Sequence, residues 1–477
     1  MKFNKNEFGW KERVNTNELP DDLSIGNSLT VGSRIGDIGC FSVSEGDGNT
    51  ASGTSSHAEG EGVTAEGYCS HAEGYNTTAS GDWSHAEGRS TTASGSTSHV
   101  EGISATASGT SSHAEGEGAT ASGNISHAEG DWTVASGDWS HAEGGYTTAS
   151  GDYSHAEGGS TIASGSNSHA EGESTTASGG FSHAEGNITT ALGNSSHIEG
   201  KSSNLASDKI IDLSSSTDNN SIITKWETSK FSLAKGEASH VEGMDNLALG
   251  KYSHAEGVNT TASSLYSHAE GENTTALGVV SHAEGSYTTA SGECSHVEGS
   301  NTEASGDFSH AEGNYAIASG YISHAEGISS TASGNYSHAE GGSTNASGNY
   351  SHAEGGSTNA SGESSHAEGK GTKASSGNQH VQGKYNIEDT ANTYAHIVGN
   401  GTSDGARSNA HTLDWQGNGW YAGKLSQDGT PTEDKDLATK KYVDDSIANQ
   451  PQISFDAEGN LVVTIGGVTK KFKEITE

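Results

Sequence analysis

The stretch that decides the fold is Ser84-His85-Ala86-Glu87-Gly88-Arg89-Ser90-Thr91-Thr92-Ala93-Ser94-Gly95-Ser96-Thr97, one period of a pattern that fills most of the chain. Its leading pentapeptide, Ser-His-Ala-Glu-Gly with Val or Ile sometimes in third place, occurs 21 times. Eleven copies from Ser56 to Ser196, and ten from Ser239 to Ser365, keep a step of 14 residues. Between the two series lie 43 residues, one step plus an insertion of 29. Of 24 histidines, 21 are the second residue of this motif. A fixed short period is the sign of a solenoid.

Each period alternates with period two, as short strands do. Ser84 and Ala86 point one way while His85 and Glu87 point the other; Thr91 and Ala93 oppose Thr92 and Ser94 in the same manner. A 14-residue coil brings its two strands so close that Ser, Ala and Thr must fill the interior. His and Glu cannot be buried there without partners. Gly88 and Gly95 are expected where the strands reverse, since glycine tolerates turn conformations.

Composition agrees with a thin coil. Hydrophobic residues are 29% of 477, with 68 Gly and 3 Pro, too few apolar groups for a thick core. Strict phase overrides the disorder that such numbers otherwise suggest. A formal charge of −39 argues against nucleic acid, which needs clustered Lys and Arg, and against anionic lipid. Cys40, Cys69 and Cys294 are too scattered for a disulfide framework. Met1 to Pro20 reads as no signal peptide, and no apolar run suits a membrane span, so synthesis and folding in a host cytoplasm are expected.

The chain divides on this reading into an N-terminal cap or attachment segment over 1–27, a roll of 14-residue repeats over 28–399, a β neck over 400–423, a linker with a short trimerising helix over 424–450, and a C-terminal β cap over 451–477. Ser28-Leu29-Thr30-Val31-Gly32 and Ser42-Val43-Ser44-Glu45-Gly46 are degenerate copies in phase with Ser56, so the roll starts near Ser28. The insertion, roughly 207–234, reads as a hairpin projecting from the roll, with Ile210, Ile211, Leu213, Ile222, Ile223 and Trp226 around a polar loop. After Gly369 the pattern decays through Gln379-His380-Val381-Gln382-Gly383 to Ala395-His396-Ile397-Val398-Gly399, two residues out of phase. Residues 436–447 give the helix expected from an imperfect heptad, and Ile453 to Ile475 a small antiparallel sheet.

The pattern Ser-x-Ala-x-Gly-x-x-(Thr/Ala)-x-Ala-x-Gly resembles the 14-residue repeat of trimeric autotransporter adhesin heads of the YadA type. The resemblance implies an all-β, left-handed parallel β-roll, three of which pack as a homotrimer, with the first strand of each turn facing the trimer interior. It places His57, Glu59, His85, Glu87, His127, Glu129, His155, Glu157, His254, Glu256, His310, Glu312, His352 and Glu354 at the subunit interface. Those heads carry Val and Ile where this chain has His and Glu. The tail differs from them too: Asp436-Leu437-Ala438-Thr439-Lys440-Lys441-Tyr442-Val443-Asp444 is similar to a segment of phage and prophage tail fibres.

Crowding so many carboxylates requires compensation. Hydrogen-bonded His–Glu pairs are expected, with some imidazoles protonated because neighbouring carboxylates favour the cation. Ordered water and a divalent metal are the other solutions. No catalytic residue, metal ligand or cofactor is assigned, because a site repeated 21 times reads as scaffold. Aromatics recur just before the motif Ser and two residues after its Gly; Trp83, Trp132, Trp139, Tyr146 and Tyr153, with Trp226 in the insertion, are the candidates for receptor binding. The function expected is an adhesive, non-enzymatic fibre: a phage or prophage tail-fibre component in the virion, meeting other tail or baseplate proteins and a glycan or protein receptor on a bacterial surface. A bacterial cell-surface adhesin is the alternative. An ice-binding solenoid, from the outward Thr column, is a distant third.

Overall fold

The computed structural model describes residues 29–34, 39–202, 231–423, 443, 447 and 450–473. It divides into two units, Met1–Tyr350 and Ser351–Glu477.

The first unit is a parallel β-solenoid. Each turn contributes a strand that begins at the motif His and a two-residue strand that ends at the second Ala, and each pairs with its own copy one turn on. His99–Ile103 lies beside His113–Glu117 in the register His99↔His113, Val100↔Ala114, Glu101↔Glu115. Thr92–Ala93 pairs with Thr106–Ala107 in the same way. The degenerate copies belong to the coil, since Leu29 pairs with Val43 and Val43 with His57. The phase of the sequence therefore sets the register.

Burial follows the alternation. Ser84 and Ala86 are 1% and 0% exposed, Thr91 and Ala93 both 0%, whereas His85 and Glu87 stand outside. Several of the interior hydroxyls turn to the backbone. Ser84 Oγ donates to the carbonyl of Gly81 at 2.7 Å, and Ser98 Oγ to that of Gly95 at 2.7 Å. Where Asn replaces the inner Thr, at Asn49, its amide donates to Glu45 O and Gly60 O and its oxygen accepts from Val63 N.

The two glycines of each turn do different work. Gly88 has φ +107°, a conformation closed to side chains, as a strand reversal requires. Gly95 corrects the expectation. It is a close-approach position and no left-handed turn residue: a Cβ there would lie 1.9 Å from the carbonyl oxygen of Gly109 on the next turn. The left-handed residues at the corners are non-glycine, Trp83 at φ 54° and Ser90 at φ 58° in this turn.

The insertion does not interrupt the rows. Thr190 pairs with Leu233 and His197 with His240, so the coil closes across the added segment. Ser232–Ala234 is a strand of the roll, so the last residues of the expected 207–234 insertion belong to the coil. Leu233, Leu247 and Leu249 cluster there with Leu192 and Phe231 against them. The projecting hairpin and Trp226 lie outside the described residues, as does the 1–27 segment.

The second unit holds turns of the same coil from His352–Gly356 to His380–Lys384. Tyr394–Asn400 pairs in parallel with His380–Lys384 in the register His380↔His396, two residues longer than a turn. Asp389 holds the extra residues: its carboxylate accepts from the backbone of Thr393 and Tyr394 and from Gln379 Nε2. Gln379, in the place of the motif Ser, reaches a partner that Ser would not. Asn409–Asp414 and Gly419–Tyr421 then add antiparallel strands. Most of the expected helix lies outside the described residues; Val443 and Ile447 are helical. Gln452–Phe455, Leu461–Ile465 and Val468–Phe472 form the three-stranded antiparallel sheet. No helix among the described residues is long and apolar enough to cross a membrane.

The contact at Gly95 gives a direct test. Gly95→Ala drives a methyl into backbone that cannot move without breaking the ladder, and is expected to cost about 1–3 kcal/mol or more. Gly145→Ala, where a Cβ meets nothing within 4 Å, is the control and leaves the melting temperature within about a degree. Equal melting temperatures for the two variants, followed by circular dichroism, would show that the turns are not stacked at this separation.

Candidate functional site: the histidine and glutamate columns

Parallel pairing in 14-residue register places each outward side chain on its own copy. The imidazoles therefore form a pile. His57 and His71 stack with centroids 4.7 Å apart and planes 5° from parallel, and His127 and His141 at 4.8 Å and 2°. The pile continues ring on ring to His338 in the first unit, crossing the insertion through His197 and His240 at 4.9 Å. In the second unit a pile runs from His352 through His366 to His380, tilts at His396, and ends with His411 against Tyr421 at 4.4 Å.

Beside it runs the glutamate column. Within a turn the two columns face each other but do not hydrogen-bond. His57 Nε2 lies 3.9 Å from Glu59 Oε2, His85 3.8 Å from Glu87, His127 3.9 Å from Glu129 and His155 3.9 Å from Glu157. The same gap is 3.7 Å for His254 and Glu256, 3.6 Å for His310 and Glu312, and 3.8 Å for His352 and Glu354. These separations exceed hydrogen-bond length. The expected His–Glu hydrogen-bonded pairs are thus not formed within one chain: stacking fixes each ring in a plane from which Nε2 does not reach the carboxylate. The Nε2 atoms of His85, His127, His155, His254 and His310 are sealed from solvent and have no hydrogen-bond partner. Each such atom is a cost of about 1–3 kcal/mol that an assembly or ligand can relieve.

The protonation expected from the sequence is also corrected. His85 is held below the ordinary imidazole range, first by burial and then by His71 and His99, against the pull of Glu87. His254 is lowered by burial and His240 against Glu256, Glu242 and Glu270; His310 by burial, His324 and His296 against Glu298 and Glu326. Stacked rings would each place a cation on a cation. That repulsion and the loss of solvent outweigh the carboxylates at His85, His254 and His310, so these rings are driven towards neutrality. Among the glutamates, Glu101 is pushed up to about 7 by burial and then by Glu115 and Glu87.

The aromatic candidates occupy the corners. Trp83, Trp139 and Tyr153 stand where the second strand leads back to the first, at φ 54°, 56° and 57°. Trp132 and Tyr146 stand where the first strand leads to the second, at φ 55° and 58°. The two sets are therefore on opposite edges of the coil. A left-handed backbone is unfavourable for such residues, and the ladder enforces it. Trp139 N donates to Asn124 O at 2.8 Å and Trp132 N to Glu117 O at 2.7 Å. The rings stand out into solvent, 57% exposed for Trp83 and 63% for Tyr146, and Trp139 stacks on Tyr153 at 4.8 Å.

One functional pattern escaped the sequence reading. The residue before the first corner is often Asp or Asn, and its carbonyl or carboxylate oxygen accepts the backbone N–H of the turn before. Asp82 receives Tyr68 N, Asp138 receives Asn124 N, and Asp152 receives Asp138 N. Asn335 and Asn349 repeat this at Tyr321 and Asn335. The signal was the period-14 recurrence of Asp and Asn at this position.

The lowered imidazoles set a pH dependence. Their folded values lie below the unfolded one of about 6.5, so on acidification the unfolded chain takes up protons first. Stability is full above that value and falls as pH drops through it towards the folded values. Glu101 acts in the opposite sense, but it is one group against many. Chelator-treated protein is expected to melt at a steadily lower temperature between pH 7.5 and about 5. A melting temperature unchanged over that interval would show the column to be ordinary solvated histidine.

Among known proteins, six segments match the family described as YadA head domain repeat (2 copies): residues 72–98, 101–126, 156–182, 170–196, 269–292 and 311–337. No curated protein matches the chain. Each matched segment spans successive turns of the coil just described, with the motif Ala inside and the His and Glu outside. Over those residues the solenoid is similar in sequence to YadA head domain repeats.

Proposed function

We propose that this chain is the subunit of a homotrimeric adhesive fibre, in which three rolls pack through their His/Glu faces and the edges and ends meet the target. The observation that carries the reading is the set of sealed Nε2 atoms without hydrogen-bond partners at His85, His127, His155, His254 and His310, on a roll that matches YadA head domain repeats over six segments. A face that leaves polar atoms both dry and unbonded in a single chain is suited to another surface. The C-terminal sheet supports association as well: Ile453, Phe455 and Val468 are 66%, 72% and 65% exposed, more apolar surface than three short strands can leave in water without a partner.

The reading extends to a phage or prophage tail-fibre component that binds a bacterial surface by adhesion and not by catalysis, meeting other tail proteins at one end. What supports the virion over the cell surface is the similarity of 436–444 to tail-fibre segments. The edges suit recognition because their side chains are exposed and differ from turn to turn. Stacked rings such as Trp139 and Tyr153 offer flat faces on which a sugar ring can lie.

Sedimentation equilibrium is expected to give three chains per particle. Purified fibre is expected to decorate the host cell; Trp139→Ala with Tyr153→Ala should lower that binding about tenfold or more if the first edge is the reader. Trp132→Ala with Tyr146→Ala tests the opposite edge separately. A monomer in solution would remove the trimer, and full binding by both double variants would remove the aromatic edges as the receptor surface.

A further inference from the structure

Within the columns, the donor atoms form a recurring triad. Glu354 Oε2 lies 3.8 Å from His352 Nε2 and 4.0 Å from His366 Nε2, one turn on. His127, Glu129 and His141 make the same arrangement, as do His310, Glu312 and His324, and in each all three donor atoms fall within 4.8 Å of one another. His127, His141, His310 and His324 each have an Nε2 that is dry and makes no hydrogen bond. The stacking that prevents hydrogen bonding also sets the two imidazoles side by side, with His310 and His324 ring centroids 4.8 Å apart and planes 13° from parallel, so a shared ion requires one ring to tilt towards the other.

These separations have a chemical meaning. A gap of 3.6 to 4.0 Å is too wide for a hydrogen bond. It is close to the spacing of two ligands on one ion, roughly 3.4 Å for metal–ligand bonds of about 2.1 Å. Two imidazole nitrogens and one carboxylate oxygen are a donor set for a borderline divalent ion of the Zn2+, Co2+ or Ni2+ type; all-oxygen ligands would be needed to favour Ca2+ or Mg2+. We infer that the His-Glu-His triads of the roll bind such divalent ions, two nitrogens from successive turns and one carboxylate between them, as cross-turn staples along the column. The ion fills the space between donors that cannot reach each other and screens the carboxylates stacked above and below it. The triad belongs to a single chain, so the inference stands whether or not the rolls assemble as proposed above.

Sharing limits the stoichiometry. His324 belongs both to the Glu312 triad and to that of Glu326, and an Nε2 has one lone pair to give. Alternate turns are therefore filled. Full-length protein, stripped with chelator and titrated with Zn2+ at neutral pH, is expected to saturate at about one ion for every two turns of triad-bearing roll. Binding of Co2+ should show visible absorption bands of nitrogen ligation. The triple variant Glu129→Gln, Glu312→Gln, Glu354→Gln touches three triads that share no histidine and should lose up to about three ions. Glu61→Gln, Glu117→Gln, Glu173→Gln, all exposed carboxylates off the triads, should lose none. Uptake below one ion per chain, Co2+ spectra of the aqueous ion, or equal losses in the two triple variants would each overturn the inference, the last marking adventitious binding to surface carboxylates. The wild-type count and the Co2+ spectrum decide the matter even if the first triple variant fails to fold. Sedimentation of the stripped protein keeps the trimer reading separate.

Discussion

The separation of successive turns governs this molecule. A coil of 14 residues stacked backbone on backbone leaves an interior the width of an alanine, and the 1.9 Å that a Cβ at Gly95 would leave to the next carbonyl measures how little is spare. Inside, most turns accommodate only Ala, Ser and Thr, with Val, Ile, Leu or Asn in a few. Apolar burial per turn is consequently small, and cohesion shifts to the hydrogen-bond ladder and to side chains that can satisfy it. Ser84 turning to Gly81 and Asp138 accepting from Asn124 are both answers to that shift. The ladder also overrides local preference. It holds Trp, Tyr, Phe and Ile at left-handed corners where glycine or asparagine would be easier.

Stacking by pure repetition has an electrostatic consequence. Every outward residue has its own kind as nearest neighbour, imidazole on imidazole and carboxylate on carboxylate. The partner two residues away in sequence, which suggests a His–Glu pair, is in competition with the partner 14 residues away. In the structure the latter wins: the rings stack with planes up to 25° apart, and their neighbours and burial hold His85, His254 and His310 below the ordinary imidazole range. A column of this kind is unsatisfied by construction. It requires something from outside the repeat, either another surface or an ion.

The fold was legible in the sequence because phase and alternation are properties of the chain alone. His at one step and Ala at the next fixed which faces turn outward, and 43 residues between Ser196 and Ser239 announced an insertion that leaves the register intact. What could not be read was any contact between turns other than register. Gly95 looked like Gly88 by residue type; both crowd the carbonyl of the next turn, and only the φ of +107° at Gly88 separates the turning glycine from the packing one. The protonation of the histidines failed for the same reason, since spacing along the strand shows Glu87 beside His85 but not the rings above and below. The Asp and Asn ladder was present in the period and went unread because its partner lies a full turn earlier.

Recognition has to reside where the repeat permits variation. At the motif positions a change disturbs every copy above and below, so the columns and the interior are uniform and carry little information about a target. At the two corners the ladder alone dictates the backbone, through bonds such as Trp139 N to Asn124 O, and the side chain projects into solvent without a structural duty. The first corner accordingly carries Trp83, Thr97, Ser111, Ile125, Trp139, Tyr153, Asn167 and Phe181 in successive turns. The fold thus separates two tasks by position: a uniform face that demands a partner, and variable edges on which differences between one fibre and another can accumulate without cost to the roll.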